Sequence, residues 1–593
     1  MTFTLDEAAR ANMLGEPHHD GSELYVLERA EELGEETTVR MRTAPGAVDR
    51  VLLRYTRDGE PATVDAVVDE ETDDATWWRA SFPVVNPVTR YKWLLSGGTA
   101  GFQWVNGVGS YPHDVPGSDD FVASVGPGGP DWHLSSVVYE IFPDRFATSG
   151  AATSAPEPFL QREWGTLPIG RGRETPFEWY GGDLGGIEQH LDHVESLGAN
   201  AIYLTPVFPA GSTHRYDATS FDRIDPLLGG DAAFASLARA ASGRGIRLIG
   251  DLTLNHSGVG HEWFTKAKDD PHSTERGFYY FDDSLPLGYE SWLGVRSLPK
   301  LDWRDDDLRA RMREVIRRWI DAGLSGWRID VANMMGRFRA LDLNHEVAHW
   351  ARAVVGESLL IAEHGHDYRP DLDGTGWHGT MNYAGFLKPV WWWLNETVAT
   401  DVFSQTPAPA YGGEEAVAVM RRYRAGVPWQ AVQHSWTLLD SHDTGRFRTV
   451  AGSRERQLVG VGLQMTTPGV PMVYAGDELG LEGSWGEDAR RTMPWADSAS
   501  WDAVLLDGYR RLAALRRTSD ALAHGGIRYV HVSADAVCYL RESRSERLLC
   551  LAARAPHQPI SVPFDNLEPL YGEDATDSVL PSDGPAFHIW RVA

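Results

Sequence analysis

The chain has little cysteine. Its 593 residues include only two cysteines, Cys538 and Cys550. They flank the predicted hairpin turn ESRSE symmetrically about Arg544, so they could face each other across two antiparallel strands. In a reducing compartment we expect two buried thiols, with a disulfide as the alternative. Neither has a histidine at metal-ligand spacing, and we predict no catalytic role for them.

Long apolar runs and basic residues are also scarce. No apolar run reaches the length of a membrane span, and the start MTFTLDEAARANMLGE has neither the basic nor the apolar stretch of a secretory signal. The chain has 55 Lys and Arg against 84 Asp and Glu, a formal charge of -29. Nucleic acid and anionic membranes would repel such a surface. We therefore predict a cytoplasmic protein with no membrane or nucleic-acid partner.

Length and patterning predict three domains. A chain of 593 residues is too long for one hydrophobic core. Short alternating runs predict an N-terminal β-sandwich domain over residues 1–124. After a linker rich in Gly and Pro, strand-like apolar runs alternate with amphipathic helices such as LRARMREVIRRWIDAG, which predicts an α/β fold. We expect a (β/α)8 TIM barrel over residues 131–520, with a small inserted subdomain at about 257–300. Short strands return in residues 521–593, a predicted C-terminal β-domain.

Four acidic residues stand at what read as the ends of buried barrel strands. They are Asp251 in DLTLNH, Asp330 in GWRID, Glu363 in LIAEH and Asp443 in LLDSHD. In such barrels the active site lies at the C-terminal face of the strands, so we expect the four carboxylates at the barrel mouth. Any one alone could equally cap a helix or join a structural ion pair. Four in this order favour an acidic active site.

Neighbouring residues suggest different tasks for these acids. Arg328 faces the same side of its strand as Asp330, so its guanidinium is expected to keep that carboxylate ionised, as a nucleophile requires. Glu363 is expected to neighbour carboxylates rather than a cation, which suits a proton donor. Asp443, beside His442, adds a third negative group. A nucleophile and an acid about 5 Å apart can carry out retaining glycoside hydrolysis.

The order of motifs resembles that of the α-amylase family of glycoside hydrolases. Over about residues 131–520 the chain shows YEIFPDRF, YGGDLGGI, SLGANAIYLTPVF, HRYDATSF, DLTLNH, LPKLD, GWRIDVAN, IAEH, SHDTGR and GVPMVYAGDELG. The resemblance implies that Asp330 is the nucleophile and Glu363 the general acid/base. It also implies that Asp443 binds sugar hydroxyls and stabilises the oxocarbenium-like transition state.

The same resemblance implies a set of supporting residues. Those that match the sugar-holding residues at the subsite of cleavage are Tyr216, His256, Arg328 and His442. Tyr216 matches the stacking platform there. Asp251 then becomes structural support rather than a catalyst, and Asn255 in the same motif is assigned with it.

The predicted N-terminal sandwich and the motifs HRYD and PKLD are similar to those of one subgroup of the family. This subgroup contains the cyclomaltodextrinases, neopullulanases, maltogenic amylases and maltodextrin glucosidases. In that subgroup the N-terminal domain commonly mediates a dimer and narrows the groove. The resemblance therefore implies a homodimer that acts on short or cyclic maltooligosaccharides, including mixed α-1,4/α-1,6 cyclic saccharides such as cyclic maltosyl-maltose. An α-glucan transglycosidase or an exo-acting maltodextrin glucosidase is the alternative. The intact acids disfavour a non-catalytic family member.

Several positions depart from the pattern of the relatives. His364 and Gly365 follow the catalytic Glu where relatives often place an aromatic residue, and the loss is expected to widen the acceptor side. Asn333 and Met334 follow the nucleophile, and Met334 replaces a Glu of many relatives, so transglycosylation is not implied. The loop ATSGAATSAPEPF lacks the ligands that hold calcium in some relatives, and Asp183 alone is insufficient. We predict no metal and no cofactor.

Overall fold

The computed structural model describes residues 15–592, except 127, 152–153, 397–405, 565 and 577. Its centre is a closed barrel of eight parallel strands, and antiparallel sheets precede and follow the barrel. This arrangement confirms the predicted fold class. The first 14 residues, and residues 152–153 of the loop predicted to lack metal ligands, lie outside the described residues.

The N-terminal part consists of two facing antiparallel sheets. The alternating sequence of the long strands gives each of them one buried face, whereas the short strand Val67–Glu71 is exposed throughout. Leu53, Phe82 and Trp93 lie fully buried between the sheets. One sheet contains, in spatial order, Val26–Glu28, Glu36–Thr43, Thr76–Pro83 and Val67–Glu71. The other contains Glu60–Asp65, Arg50–Arg57, Val88–Ser96, Gln103–Val105 and Ser110–Tyr111, with Phe121–Ser124 also paired to Val88–Ser96.

The barrel strands are short and almost wholly buried, because helices cover their outer face and side chains fill their inner face. The first strand pairs in parallel with both the second and the eighth, which closes the barrel. In chain order the eight strands are Val138–Ile141, Ala201–Leu204, Arg247–Thr253, Gly326–Asp330, Leu359–Glu363, Gly379–Met381, Trp436–Leu438 and Val470–Tyr474.

The helix Asp306–Asp321 shows why the surrounding segments are helical. The side chain of Asp305 accepts a hydrogen bond from the backbone N–H of Leu308 at 2.9 Å and caps the first turn. Its apolar residues recur at helical spacing and are buried against the barrel, whereas its arginines face outward. The other barrel helices of eight or more residues are Gly230–Gly243, Glu262–Asp269, Asn344–Val355, Gly413–Arg424, Arg454–Thr466 and Ala503–Thr518. Within the described ranges, no helix is both long and apolar enough to cross a membrane.

Shorter helices lie before, between and after the barrel strands and these longer helices. The α-helices are Asp131–Leu134, Pro143–Phe146, Leu184–Gln189, Leu191–Ser196, Lys388–Leu394, Trp429–His434, Phe447–Ala451, Gly486–Ala489 and Asp520–Ala523. A π-helical turn, Tyr383–Leu387, precedes Lys388–Leu394. The connection after the third strand holds the helix Glu262–Asp269 and two 3-10 turns, Thr274–Phe278 and Trp292–Gly294.

The C-terminal part is a five-stranded antiparallel sheet beside a small two-stranded one. In spatial order the large sheet contains Gly526–Val532, Ala536–Glu542, Arg547–Ala553, Ala586–Val592 and Leu567–Tyr571. The small one pairs Ile560–Ser561 with Val579–Leu580.

The two cysteines lie on adjacent strands of the large sheet but do not face each other. Cys538 pairs with Leu551, and Cys550 pairs with Tyr539, so the register differs by one residue from the symmetric pairing. A one-residue difference turns a side chain to the other face of the sheet. The thiols accordingly belong to separate hydrophobic clusters and are both free and buried. The predicted thiols are confirmed, and the symmetric pairing is wrong.

Candidate active site

The guanidinium of Arg328 lies at the centre of the barrel mouth and contacts three carboxylates. Arg328 is fully buried on the fourth strand. Its Nη1 donates to Asp330 Oδ1 at 3.1 Å and to Asp251 Oδ2 at 2.9 Å, and its Nη2 lies 2.9 Å from Glu363 Oε2. The ends of strands three, four and five are thus joined by one cation.

The position of Glu363 differs from the sequence prediction in one respect. We expected carboxylates around it and no cation, but it shares Arg328 with Asp330. The planar guanidinium offers donors on both sides, so it reaches the next strand as well as its own. Glu363 Oε2 also accepts the backbone N–H of Val331 at 2.8 Å. The Arg328 cation and the Val331 N–H donor therefore approach the same oxygen of Glu363.

The protonation of Asp330 also differs from expectation. Burial and then the neighbouring Glu363 carboxylate raise the pKa of Asp330 well above its usual range, and Arg328 offsets them only in part. One positive charge cannot neutralise Asp251, Asp330 and Glu363 together. Arg328, which the sequence analysis expected to keep Asp330 ionised, therefore offsets only part of the rise in the pKa of Asp330.

Three neighbouring side chains donate hydrogen bonds to the carboxylate of Asp251. Its Oδ2 accepts hydrogen bonds from the hydroxyls of Tyr203 and Tyr216, and both of its oxygens accept from Arg328 Nη1. Burial raises its pKa, against the effect of Arg328. With its acceptors taken by the protein, Asp251 is placed to orient Arg328 and Tyr216.

The carboxylate of Asp443 has a different environment, with two cationic neighbours. Its Oδ2 lies 3.1 Å from His442 Nε2, and its Oδ1 accepts from Arg490 Nη2 at 2.9 Å. These partners lower the pKa of Asp443 far below its usual range despite burial. Burial opposes the charge on His442, but the carboxylates of Asp443 and Glu140 raise its pKa to about 10. Asp443 therefore stands ionised beside a protonated His442.

Tyr216 links the two groups of carboxylates. Its ring stacks on His442 with centroids 5.6 Å apart. Its hydroxyl donates to Asp251 at 2.9 Å and lies 2.7 Å from His442 Nε2, from which it accepts. The predicted platform residue therefore lies between Arg328 and His442.

His256 approaches the site from the end of the third strand. It is buried, and its Nε2 lies 3.8 Å from Asp330 Oδ2. Burial and then the nearby Lys300 lower its pKa to about 3, so it is neutral. The ammonium of Lys300 donates to Asn255 Oδ1 and, at 2.8 Å, to the carbonyl of Met334. Through Lys300, Asn255 after the third strand is therefore linked to the turn after Asp330, where the backbone carbonyl of Met334 accepts the second hydrogen bond.

The residues after Glu363 are held by a carboxylate farther along the same loop. The ring of His364 is buried, with Nε2 at 3.1 Å from Asp371 Oδ2. Asp371 also accepts two hydrogen bonds from Arg337, whose Nη1 donates to the carbonyl of Asn333 at 2.7 Å. The structure thus places the His364–Gly365 segment and Asn333 on two loops joined through one ion pair.

Comparison with known proteins agrees with this geometry. Residues 140–505 match the model of the alpha amylase catalytic domain, which is more than half of the chain. The chain belongs to the α-amylase family. Its homologues include the cyclomaltodextrinase of a Bacillus species, 32% identical over 71% of this chain and 73% of that one. Another is neopullulanase 2 of Thermoactinomyces vulgaris, 31% identical over 69% of this chain and 67% of that one.

A solved structure of another hydrolase is also similar to this chain. The ligand-free cyclic alpha-maltosyl-(1-->6)-maltose hydrolase of Arthrobacter globiformis is 31% identical and has a TM-score of 0.66. The match covers 78% of this chain and 99% of that chain. This α-amylase-family protein is therefore a cyclomaltodextrinase- and neopullulanase-like glycoside hydrolase.

Sequence reasoning missed three residues of this family site. Glu140 is fully buried on the first strand and accepts from His442 Nδ1. An acidic residue inside the apolar run VVYEIF was a signal for it. Lys300 lay in the quoted motif PKLD but was given no role. Arg490 follows the eighth strand, 47 residues after Asp443, and no motif around it in the sequence indicated a role in the site.

Proposed function

We propose that the protein hydrolyses α-1,4-glucosidic bonds in short or cyclic maltooligosaccharides with retention of anomeric configuration. The observation that carries this proposal is the shared guanidinium, which holds Asp330 and Glu363 on adjacent nitrogens at the barrel mouth. Retention requires two carboxyl groups close together, one to attack and one to transfer a proton.

The carboxylates of the site have different tasks in this proposal. Since one cation faces three carboxylates, Asp330 and Glu363 share a proton. The reactive form carries it on Glu363 Oε1, because Oε2 accepts the N–H of Val331 and is paired with the Arg328 cation. Asp330 is then ionised and attacks the anomeric carbon while Glu363 protonates the leaving oxygen.

The second step reverses the role of Glu363. The covalent glycosyl intermediate on Asp330 is released when Glu363, now ionised, takes a proton from the attacking water. Asp443 stays ionised throughout because it faces His442 and Arg490. Its charge stabilises the oxocarbenium-like transition state, and its oxygens accept hydrogen bonds from sugar hydroxyls. Neutral His256 beside Asp330, and Tyr216, hold the sugar in place.

The proposed substrates are cyclomaltodextrins, linear maltooligosaccharides and cyclic maltosyl-maltose. Two relatives are named for cyclomaltodextrin and for cyclic maltosyl-maltose cleavage, and Gly365 leaves the acceptor side without the aromatic ring expected there. Asn333, Met334 and His364, on the loops after Asp330 and Glu363, stay proposed substrate-side residues.

A substrate panel tests the proposal directly. The protein is incubated with maltotriose, a cyclomaltodextrin, pullulan, isomaltose and cyclic maltosyl-maltose, and the products are separated. Proton NMR of the first products should show the α-anomer. If none of the five saccharides is hydrolysed, or if the first products have the β-configuration, the proposal is contradicted.

The predicted homodimer and cytoplasmic location remain part of this proposal. The N-terminal sheets are the proposed contact, in line with the subgroup that the sequence resembles. Sedimentation of the full chain should give about twice the mass of one chain, and removal of residues 1–124 should give a monomer. Fractionation of the source cells tests the location.

A further inference from the structure

The turn after Asp330, residues 331–335, has a strained backbone. Val331 has φ 44° and ψ 44°, in the left-handed region. A β-branched side chain is unfavourable there, so such a conformation persists only where its surroundings enforce it. The strain lies next to the proposed nucleophile.

Side chains hold every backbone carbonyl from Ala332 to Met335. Asn344 Nδ2 donates to the carbonyls of Ala332 and Met335 at 2.7 Å and 2.9 Å. The carbonyl of Asn333 accepts from Arg337, and that of Met334 accepts from Lys300. Lys300 lies on the loop after the third strand, whereas Arg337 and Asn344 follow the turn in the chain, and Asn344 and Lys300 are buried. These side chains hold the turn from outside, together with one bond within it, from the Met334 N–H to the Val331 carbonyl at 2.9 Å.

The strained residue makes a contact with the reacting groups. The backbone N–H of Val331 donates to Glu363 Oε2 at 2.8 Å. Because the carbonyls from Ala332 to Met335 are held, a change of φ at Val331 requires the peptide between Asp330 and Val331 to turn, and the N–H turns with it. The hydrogen bond leaves Oε1 of Glu363 to carry the transferable proton.

We propose that Asn344, Lys300 and Arg337 are positioning residues that force Val331 into its strained conformation and thereby orient the carboxyl group of Glu363. Asp371 completes the arrangement, because it anchors Arg337 and His364 at once and so joins the turn to the loop after Glu363. This inference rests on the proposed function of Glu363. It adds a mechanism by which residues remote from the sugar set the catalytic geometry.

The replacement Val331→Gly removes the strain of a positive φ at residue 331 and keeps the donors Asn344, Lys300 and Arg337. Glycine adopts a positive φ at no steric cost, so the melting temperature should stay the same or rise. The outside donors still hold the carbonyls from Ala332 to Met335, but glycine allows the peptide between Asp330 and residue 331 to turn, so the N–H is no longer held on Glu363. We expect kcat to fall about 10-fold with KM within about twofold, because an interaction specific to the transition state is lost.

Arg339→Gly is the matched control. Arg339 also has a positive φ, 53°, eight residues along the chain, and its side chain is exposed. Relief of strain there should likewise not lower the melting temperature, and kcat should be unchanged. Equal losses of kcat in both variants would overturn the proposal.

A double-mutant cycle tests the positioning residues. Asn344→Ala should lower kcat about 10-fold or more, and Asn344→Ala with Val331→Gly should lower it no further than the larger single effect, because both act on one contact. Additive losses would overturn the proposal. Should Asn344→Ala fail to fold, the Val331→Gly comparison decides alone: wild-type kcat, or a lowered melting temperature, would refute the assignment.

These measurements also keep the two proposals apart. If the unchanged protein hydrolyses no saccharide in the panel, the proposed function fails. The melting temperature of Val331→Gly would still test the strain.

Discussion

His442 at the mouth of the barrel and His434 at the bottom are both buried, but one is charged and the other is neutral. At the mouth, Asp443 and Glu140 raise the pKa of His442 to about 10. At the bottom, burial lowers the pKa of His434 to about 3, and its hydrogen-bonded neighbour is another histidine, His133. Burial is equally complete at both places. The number of adjacent carboxylates therefore decides the charge, not the depth.

The hydrogen bonds at the bottom are consistent with neutral rings. Trp436 donates its indole N–H to His133 Nε2 at 2.9 Å, so the proton of His133 must lie on Nδ1. That Nδ1 donates to His434 Nδ1 at 2.9 Å, which leaves the proton of His434 on Nε2, toward the carbonyl of Gly129. An added proton would disrupt this chain. The bottom thus contributes to stability, whereas the mouth retains charges that suit chemistry.

The largest expected effect comes from Asp330→Asn. The variant should lose about 10⁴-fold or more in kcat/KM, because no nucleophile remains. Its melting temperature should be unchanged or higher, since a buried carboxylate that competes for Arg328 has been removed. Hydrolysis of a cyclomaltodextrin and thermal unfolding measure the two. Exposed Asp507→Asn, on the helix Ala503–Thr518, is the control. An active Asp330→Asn would mean that another group attacks.

Glu140→Gln should have the next largest effect. It removes one of the two carboxylates that raise the pKa of His442, so that pKa should fall by a unit or more. A weaker charge on His442 stabilises Asp443 less, and kcat should fall about 10- to 100-fold. Nitrogen NMR of the labelled histidine ring follows the titration. An unchanged titration would show that Asp443 alone sets the charge of His442.

Tyr216→Phe should have a smaller effect on activity. The ring can still stack on the sugar, but the hydroxyl that bridges Asp251 and His442 is lost. We expect a three- to tenfold loss of kcat with little change in KM. A larger rise in KM than loss of kcat would place the role of Tyr216 in binding rather than in alignment. Steady-state kinetics on maltotriose distinguishes the two.

His434→Gln should leave kcat unchanged and alter only the pH dependence of stability. The pKa of His434 is depressed from about 6.5 to about 3 on folding, so the unfolded chain binds the extra proton first. Stability therefore falls as the pH drops below 6.5. From pH 7 to pH 5 this one group costs about 2 kcal/mol. The free energy of unfolding, measured with urea at pH 7 and at pH 5, should fall by about 2 kcal/mol less in the variant than in the unchanged protein. Equal falls in both proteins would contradict the depressed pKa of His434.

The sequence predicted the parts of the fold that repeat along the chain. The helix Asp306–Asp321 could be predicted because its apolar residues recur at helical spacing behind an N-cap. The barrel followed from the alternation of such helices with apolar strands. The cysteine register was not predictable to one residue, because it depends on how two strands pair and not on the turn between them.

The candidate site could be predicted as a set of residues but not as a set of charges. Asp251, Asp330, Glu363 and Asp443 were all singled out because each stands in or after an apolar run. In the structure Asp330 and Glu363 end their strands, whereas Asp251 lies two residues before the end of its strand and Asp443 follows its strand in the loop. Their protonation depends on which cations come near, and Arg490 reaches Asp443 from 47 residues further along the chain. No local pattern carries that information.

The sequence by itself therefore determined the barrel, its family and the acids at its mouth, because local periodicity and short motifs encode them. Only the tertiary structure decided that Arg328 serves three carboxylates, that His442 is charged while His434 is neutral, and that three side chains outside the turn hold Val331 in a strained conformation. The physical reason is that charge and strain depend on neighbours in space, which folding brings together from separate parts of the chain.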